Sequence, residues 1–167
     1  MVFTGFLAGS FFSCANNEDD EVIEPLISID NDDAFLEYSD VTYFFREYLP
    51  SYSGIDSKCF FVNDRENKCV VINSMDEFKA TLSCSLVELP VIDFNLYTLI
   101  IGQYEVPSMP YFVVGQNIKL KSEDLELNIT ADRTDGQYAA FSRMYYWGLY
   151  HKFPQKNIIV NVNYKKT

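Results

Sequence analysis

Four cysteines, at 14, 59, 69 and 84, and a single histidine, His151, are the residues best suited to chemistry in this sequence. A Cys–His pair activates a thiolate nucleophile, and His151 is the only imidazole available to Cys59, Cys69 or Cys84. The competing reading is an isolated loop histidine, between Tyr150 and Lys152. The gaps between Cys59, Cys69 and Cys84 are 9 and 14 residues, so no C-x₂₋₄-C half-site exists and zinc is not expected. Asp30-Asn31-Asp32-Asp33 hints at calcium but lacks the glycine and the closing glutamate of an EF-hand loop. The chain has no G-x-S-x-G, P-loop, G-x-G-x-x-G or H-E-x-x-H. Its carboxylates include no pair marked out for glycoside cleavage. The expectation is therefore a protein that is not an enzyme and carries no cofactor. One run stands out as a candidate surface, Tyr145-Tyr146-Trp147-Gly148-Leu149-Tyr150-His151. On a strand Tyr145 and Trp147 share one face and Tyr146 takes the other. One face should be core, and the other would present aromatics to a protein or a sugar ring; the candidates in this run are Tyr145 and Trp147 together with Tyr150. Packing of the whole run into the core is the alternative.

The elements that must hold these residues fit in one domain. The chain has 167 residues, 48% apolar and 16% aromatic, enough to build a core. The net charge is -11, and it is unevenly spread. Ala15 to Asp56 holds 12 acidic residues and one basic residue, whereas Ser57 to Thr167 holds 12 of each. An acidic leader therefore precedes a charge-balanced body. Without a basic face, nucleic acid is not an expected partner. No apolar stretch reaches the roughly 18 residues needed to cross a bilayer.

The first thirteen residues, MVFTGFLAGSFFS, are uncharged and end in the small residue Ser13 before Cys14. Their length suits the apolar core of a signal peptide. Cys14 and the acidic run from Glu18 to Glu21 resemble a bacterial lipoprotein signal, in which the cysteine becomes the first mature residue and carries the lipid. Acyl chains there would bury in a membrane at about 0.8 kcal/mol per CH₂. The acidic run resembles the surface-export signal of Bacteroidetes-type lipoproteins. Two departures are visible: no Lys or Arg precedes the apolar run, and Phe11 stands where such signals usually carry Leu.

Residues 14–32 read as an acidic flexible tether, with Glu21–Ile29 as extended linker, and 33–167 as one β-rich domain. Asp30 to Asp33 suits a helix N-terminus, and the apolar spacing through 33–48 allows a short helix. The aromatic and β-branched run Val41–Phe45 makes a strand equally arguable. Strands are expected at 58–62 and 68–72. Ser74-Met75-Asp76-Glu77 is a capping box that starts a helix with Met75, Phe78 and Leu82 on one face. Tyr97–Ile101 is apolar on both alternations, which predicts a central strand covered on both sides. Further strands are expected at 112–114, at 118–121 and 125–130 as a hairpin, at 138–147, and at 156–164 with Ile158, Val160 and Val162 inward. The fold class is α+β: a mainly antiparallel sheet or partly closed barrel with one short packed helix.

A family resemblance rests on Val71-Ile72-Asn73-Ser74-Met75-Asp76-Glu77-Phe78, Cys84, and Leu89-Pro90-Val91-Ile92-Asp93-Phe94-Asn95-Leu96-Tyr97-Thr98-Leu99-Ile100, with Phe153-Pro154-Gln155 before the last strand. This pattern resembles small Bacteroidetes-type surface lipoproteins of uncharacterised function. It is more distantly similar to the C-terminal domain of a protease-complex accessory subunit. Asp93 would turn the chain into the central strand. The resemblance implies lipidation at Cys14, an outer-membrane location facing the cell surface or the periplasm, and a disulfide between Cys59 and Cys84. Cys59–Cys69 across the hairpin remains the alternative pairing. The function expected is a lipid-anchored, non-catalytic module that binds a protein or glycan. The alternative is an accessory or inhibitory subunit of a protease complex.

Overall fold

The structure is a computed structural model that describes residues 21–29, 38–49, 58–62, 67–106, 111–121, 124–133, 142–153 and 157–165. In chain order its elements begin with strands β1 (Glu21–Ile23) and β2 (Ile27–Ser28), helix α1 (Ser39–Tyr48), and strands β3 (Cys59–Phe61) and β4 (Lys68–Ile72). Helix α2 (Met75–Thr81) and β5 (Leu82–Cys84) follow. The long strands β6 (Tyr97–Val106), β7 (Tyr111–Leu120), β8 (Asp124–Arg133), β9 (Ser142–His151) and β10 (Asn157–Tyr164) complete the chain.

β6 and β9 pair antiparallel along their whole length, from Tyr97 opposite His151 to Val106 opposite Ser142. They are the centre of an inner sheet ordered β2-β9-β6-β4. An outer sheet, β1-β7-β8-β10, covers one face of it. The two helices and the β3–β5 pair cover the other. The inner sheet is thus buried from both sides, and its side chains sort by the two-residue period of a strand. Leu99, Ile101, Tyr145, Trp147 and Leu149 point into the helical layer. Ile100, Met144, Tyr146 and Tyr150 point into the outer sheet. The run Tyr97–Ile101 is apolar on both alternations because both alternations are core. β7 and β8 show the opposite pattern: Leu125, Leu127 and Ile129 are buried, while Glu126, Asn128 and Thr130 are only half-buried.

Two glycines make room for large side chains lying over the inner sheet. A Cβ on Gly102 would stand 1.9 Å from the Tyr146 ring. The ring crosses the strand there, and its hydroxyl donates to the Lys68 carbonyl at 3.0 Å. A Cβ on Gly148 would crowd Tyr150 and the Gln116 amide. That amide donates to the Trp147 carbonyl and ties β7 of the outer sheet to β9 of the inner one.

Several expectations change. α+β with dominant sheet holds, but neither sheet closes into a barrel among the described residues, and two helices pack on them. α1 is a helix because burial at Val41, Phe44 and Phe45 with Leu49 follows a 3.6-residue period; a strand would have turned Arg46 inward with Thr42 and Phe44. Asp30–Asp33 lies outside the described residues. Glu21–Ile29 is not tether: β1 pairs with β7 and β2 with β9, so the acidic segment joins both sheets. Val22 and Ile23 supply strand-forming side chains that the charge count concealed. β10 pairs with β8 in parallel, because β9 between them lies in the other sheet. β9 begins at Ser142 and runs to His151, beyond the expected limit at Trp147; 138–141 lies outside the described residues. In the capping box Ser74 accepts from the Glu77 amide, while the Glu77 carboxylate accepts from Asn73, one residue before the cap.

The Gly102–Tyr146 contact is testable by urea unfolding. Gly102→Val should destabilise the fold by about 1–3 kcal/mol or more, because the new side chain overlaps a ring that has no free space. Adding Tyr146→Leu should restore part of that loss; independent, additive effects would contradict the contact.

Candidate functional site

The site is built on the helical side, where the connection 85–96 runs along α1. Its start is held by β5. Cys59 and Cys84 are opposite each other in the β3–β5 register and form a disulfide. The Ser85 amide donates to the Lys58 carbonyl at 3.0 Å. Lys58 also places its ammonium 5.3 Å from the centre of the Tyr48 ring, which brings this end of the connection to the C-terminal end of α1.

The far end is held by Asp93. Its carboxylate accepts from the Asn95 backbone and side-chain amides, both at 3.0 Å. Its carbonyl accepts from Leu96 and Tyr97. This Asx turn delivers the chain into β6, as the sequence pattern implied. A polar lock surrounds it. Lys152 donates to the Asn73 side chain at 2.6 Å and to the Phe94 carbonyl at 2.9 Å. Thr98 donates to the same Asn73 oxygen at 2.9 Å. Tyr38, at the start of α1, donates to the Tyr97 hydroxyl at 2.9 Å.

Between these two fixed ends the connection exposes apolar side chains. Leu86 is fully exposed and sits at φ +62°, in the left-handed region that disfavours a side chain. Val91 is 90% exposed. Tyr43 on the outer face of α1 is 59% exposed. A groove of about 350 Å³ runs between them, lined by Asp40, Tyr43, Phe44, Tyr48, Leu86, Val87, Glu88 and Pro90. A smaller one of about 150 Å³ continues past Tyr38, Val41, Val91, Asp93 and Tyr97. Such a surface offers shape and apolar contact.

The sequence-derived site residues fall as follows. Cys59 and Cys84 are joined, and Cys14 lies outside the described residues. Tyr145, Trp147 and Tyr150 are not a surface: all three are buried, Tyr145 and Trp147 under the helices and Tyr150 under the outer sheet. The expectation of a platform fails because the inner sheet is covered on both faces. Trp147 stacks on Phe45 at 4.5 Å instead. His151 ends β9 rather than lying in a loop; it is exposed, with its ring 6.1 Å from that of Tyr97. Cys69 pairs with Gly102, five positions along β6 from the residue opposite His151, roughly 17 Å away, so the two do not meet. Leu86 and Val91 were missed because a single exposed leucine or valine in a Pro-containing connection has no distinguishing pattern; the positive φ is visible only in the fold.

No family model, curated protein or solved structure matches the chain.

The disulfide closes a separation of 25 residues that includes the α2 segment. Reduction should therefore destabilise the fold by about 3.5 kcal/mol on the chain-entropy model. Denaturant unfolding with and without reductant measures this, with the Cys59→Ala/Cys84→Ala double variant matching the reduced protein. Cys69 gives a second test. Burial pushes its thiol up to about 11, against a hydrogen bond with Tyr146 that lowers it. The folded protein therefore holds that proton where the unfolded chain has released it. Its contribution to stability is complete below the ordinary thiol value near 9 and is lost as pH rises toward 11. Cys69→Ala should flatten the fall in stability over that window, and native Cys69 should resist thiol reagents at pH 8.

Proposed function

We propose that the chain is a non-catalytic module of the cell envelope, lipid-anchored through Cys14 at the outer membrane, that docks a partner protein along α1 and the Leu86–Pro90 part of the connection. The observation that carries the docking is Leu86. Its backbone conformation costs about 1–2 kcal/mol relative to ordinary helical geometry, and its side chain gains nothing from burial within this chain. The disulfide at one end and the Asx turn at the other hold it there. Strain sustained by the surrounding structure clusters at sites that bind. With Tyr145, Trp147 and Tyr150 in the core, the aromatic face needed to stack a sugar ring is absent from that strand, which favours a protein over a glycan. The anchor rests on the apolar leader, Cys14 and the acidic run that follows it.

The same observation supports the narrower reading of an accessory or inhibitory subunit of a protease complex. A projecting apolar residue on a connection braced at both ends has the form that enters a partner's pocket with little ordering cost.

Two measurements on the protein from membranes of its native host test this reading. Intact mass should show a chain that begins at Cys14 and carries acyl groups; an unprocessed, unacylated chain would remove the anchor. Cross-linking in those membranes should then capture a partner whose yield falls at least about tenfold with Leu86→Asp. Ile159→Asp, on the exposed face of β10, should leave the yield unchanged. Equal loss in both variants, or in neither, would remove the docking site.

A further inference from the structure

We infer that the end of the sandwich bearing Val91, Leu96 and His151 lies against the bilayer surface, with Val91 and Leu96 as its apolar contacts. The inference rests on the lipid anchor proposed above and adds which face meets the membrane.

The argument begins with the length of chain between the anchor and the first strand. Cys14 to Glu21 is seven residue steps, a reach of at most about 25 Å. Because 21–23 is strand and not tether, this short reach fixes which part of the body stays near the lipid. Glu21 pairs with Leu120, at the very end of β7, and so marks the end of the outer sheet where β7 turns into β8.

The matching end of the inner sheet follows from connection length. Asn157 pairs with Asp124, at this same end, and lies six residue steps after His151. Six steps span at most about 22 Å. The Gln116–Trp147 bond fixes the level of β9 against β7. From that level, His151 is four residues along β9 and Leu120 is four along β7. Were the strands to run oppositely there, His151 and Asn157 would be separated by about 30 Å, beyond that reach. His151 is therefore at the same end as Glu21. Tyr97 pairs with His151, which places Leu96 and the Asp93 turn there as well.

This end shows apolar side chains to solvent between polar ones, Asp93 and Asn95 among them. Val91 is 90% and Leu96 56% exposed, beside exposed His151 and Lys152. Apolar side chains on a polar rim are suited to the headgroup boundary, where the former bury and the latter stays wet; the bonds of Lys152 to Asn73 and Phe94 hold that rim in place. Leu86, at the opposite end of the connection beside Tyr48 and exposed, is left off this contact, where a partner can reach it.

Amide hydrogen exchange on the full acylated chain in phosphatidylethanolamine–phosphatidylglycerol vesicles tests this, with Cys14→Ser protein in solution as reference. Exchange at residues 91–96 and 151–153 should slow at least about threefold in vesicles, while Val106, Tyr111 and Arg133 at the other end should not change. Inserting about twelve Gly/Ser residues between Asp20 and Glu21 should weaken that protection by lengthening the leash. Slowing at the opposite end, equal slowing at both ends, or none in a chain confirmed by mass to be acylated would overturn the orientation while leaving the anchor intact. Slowing of 91–96 in the reference protein at raised concentration would assign the patch to self-association and overturn it too. A chain without acyl mass would instead fail the anchor itself.

Discussion

The structure depends on one constraint: β6 and β9 are covered on both faces. A strand pair in that position cannot hide polar side chains on a wet side, so both alternations must be apolar or satisfied. Leu99 and Ile101 with Trp147 serve the helices, while Ile100 and Met144 with Tyr146 serve the outer sheet. Two buried polar side chains are placed accordingly. Gln116 reaches across from β7 to a β9 carbonyl, and Thr98 donates to Asn73. Gly102 and Gly148 follow from the same constraint, because large rings lie flat over the strands only where a neighbour lacks a side chain.

That constraint explains what was legible beforehand. The double apolar run at 97–101, the alternation at 125–130 and the Ser74 capping box each carry local signals that tertiary packing reinforces, and all three appear as elements. The Tyr145/Tyr146/Trp147 alternation was legible as well, but not the presence of a layer on each side. A sequence period shows which residues share a face; what covers the face depends on contacts far away in the chain. The segment 21–29 was obscured for a related reason. Its charges are those of a solvated leader, and its pairing with β7 and β9 comes from residues roughly a hundred positions later. The parallel β8–β10 pair was likewise invisible, since a strand's own residues do not record that its chain predecessor lies in the other sheet.

The candidate site was legible only in its supports. Cys84 and Asp93 with Pro90 stood out in the sequence, and they turn out to shape or hold the 85–96 connection. The residues that the connection presents, Leu86 and Val91, have ordinary identities, and only their exposure and the backbone angle of Leu86 mark them. Rigid supports carrying unremarkable apolar tips are common in recognition loops, where the scaffold rather than residue type determines what is presented.

The passage of the chain from β1 in one sheet to β2 in the other has a mechanical consequence. Glu21 lies at the end of the β1–β7 pair, so tension arriving through the residues before it pulls along the strand axis, across hydrogen bonds that lie perpendicular to it. The bonds are then loaded together in shear instead of being opened one at a time. What β1 does not bear passes through three residues to β2, and so to β9 at the centre of the inner sheet. A pull on the residues before Glu21 is thus shared between both layers of the sandwich, and the two short opening strands act as the strain relief of the whole body.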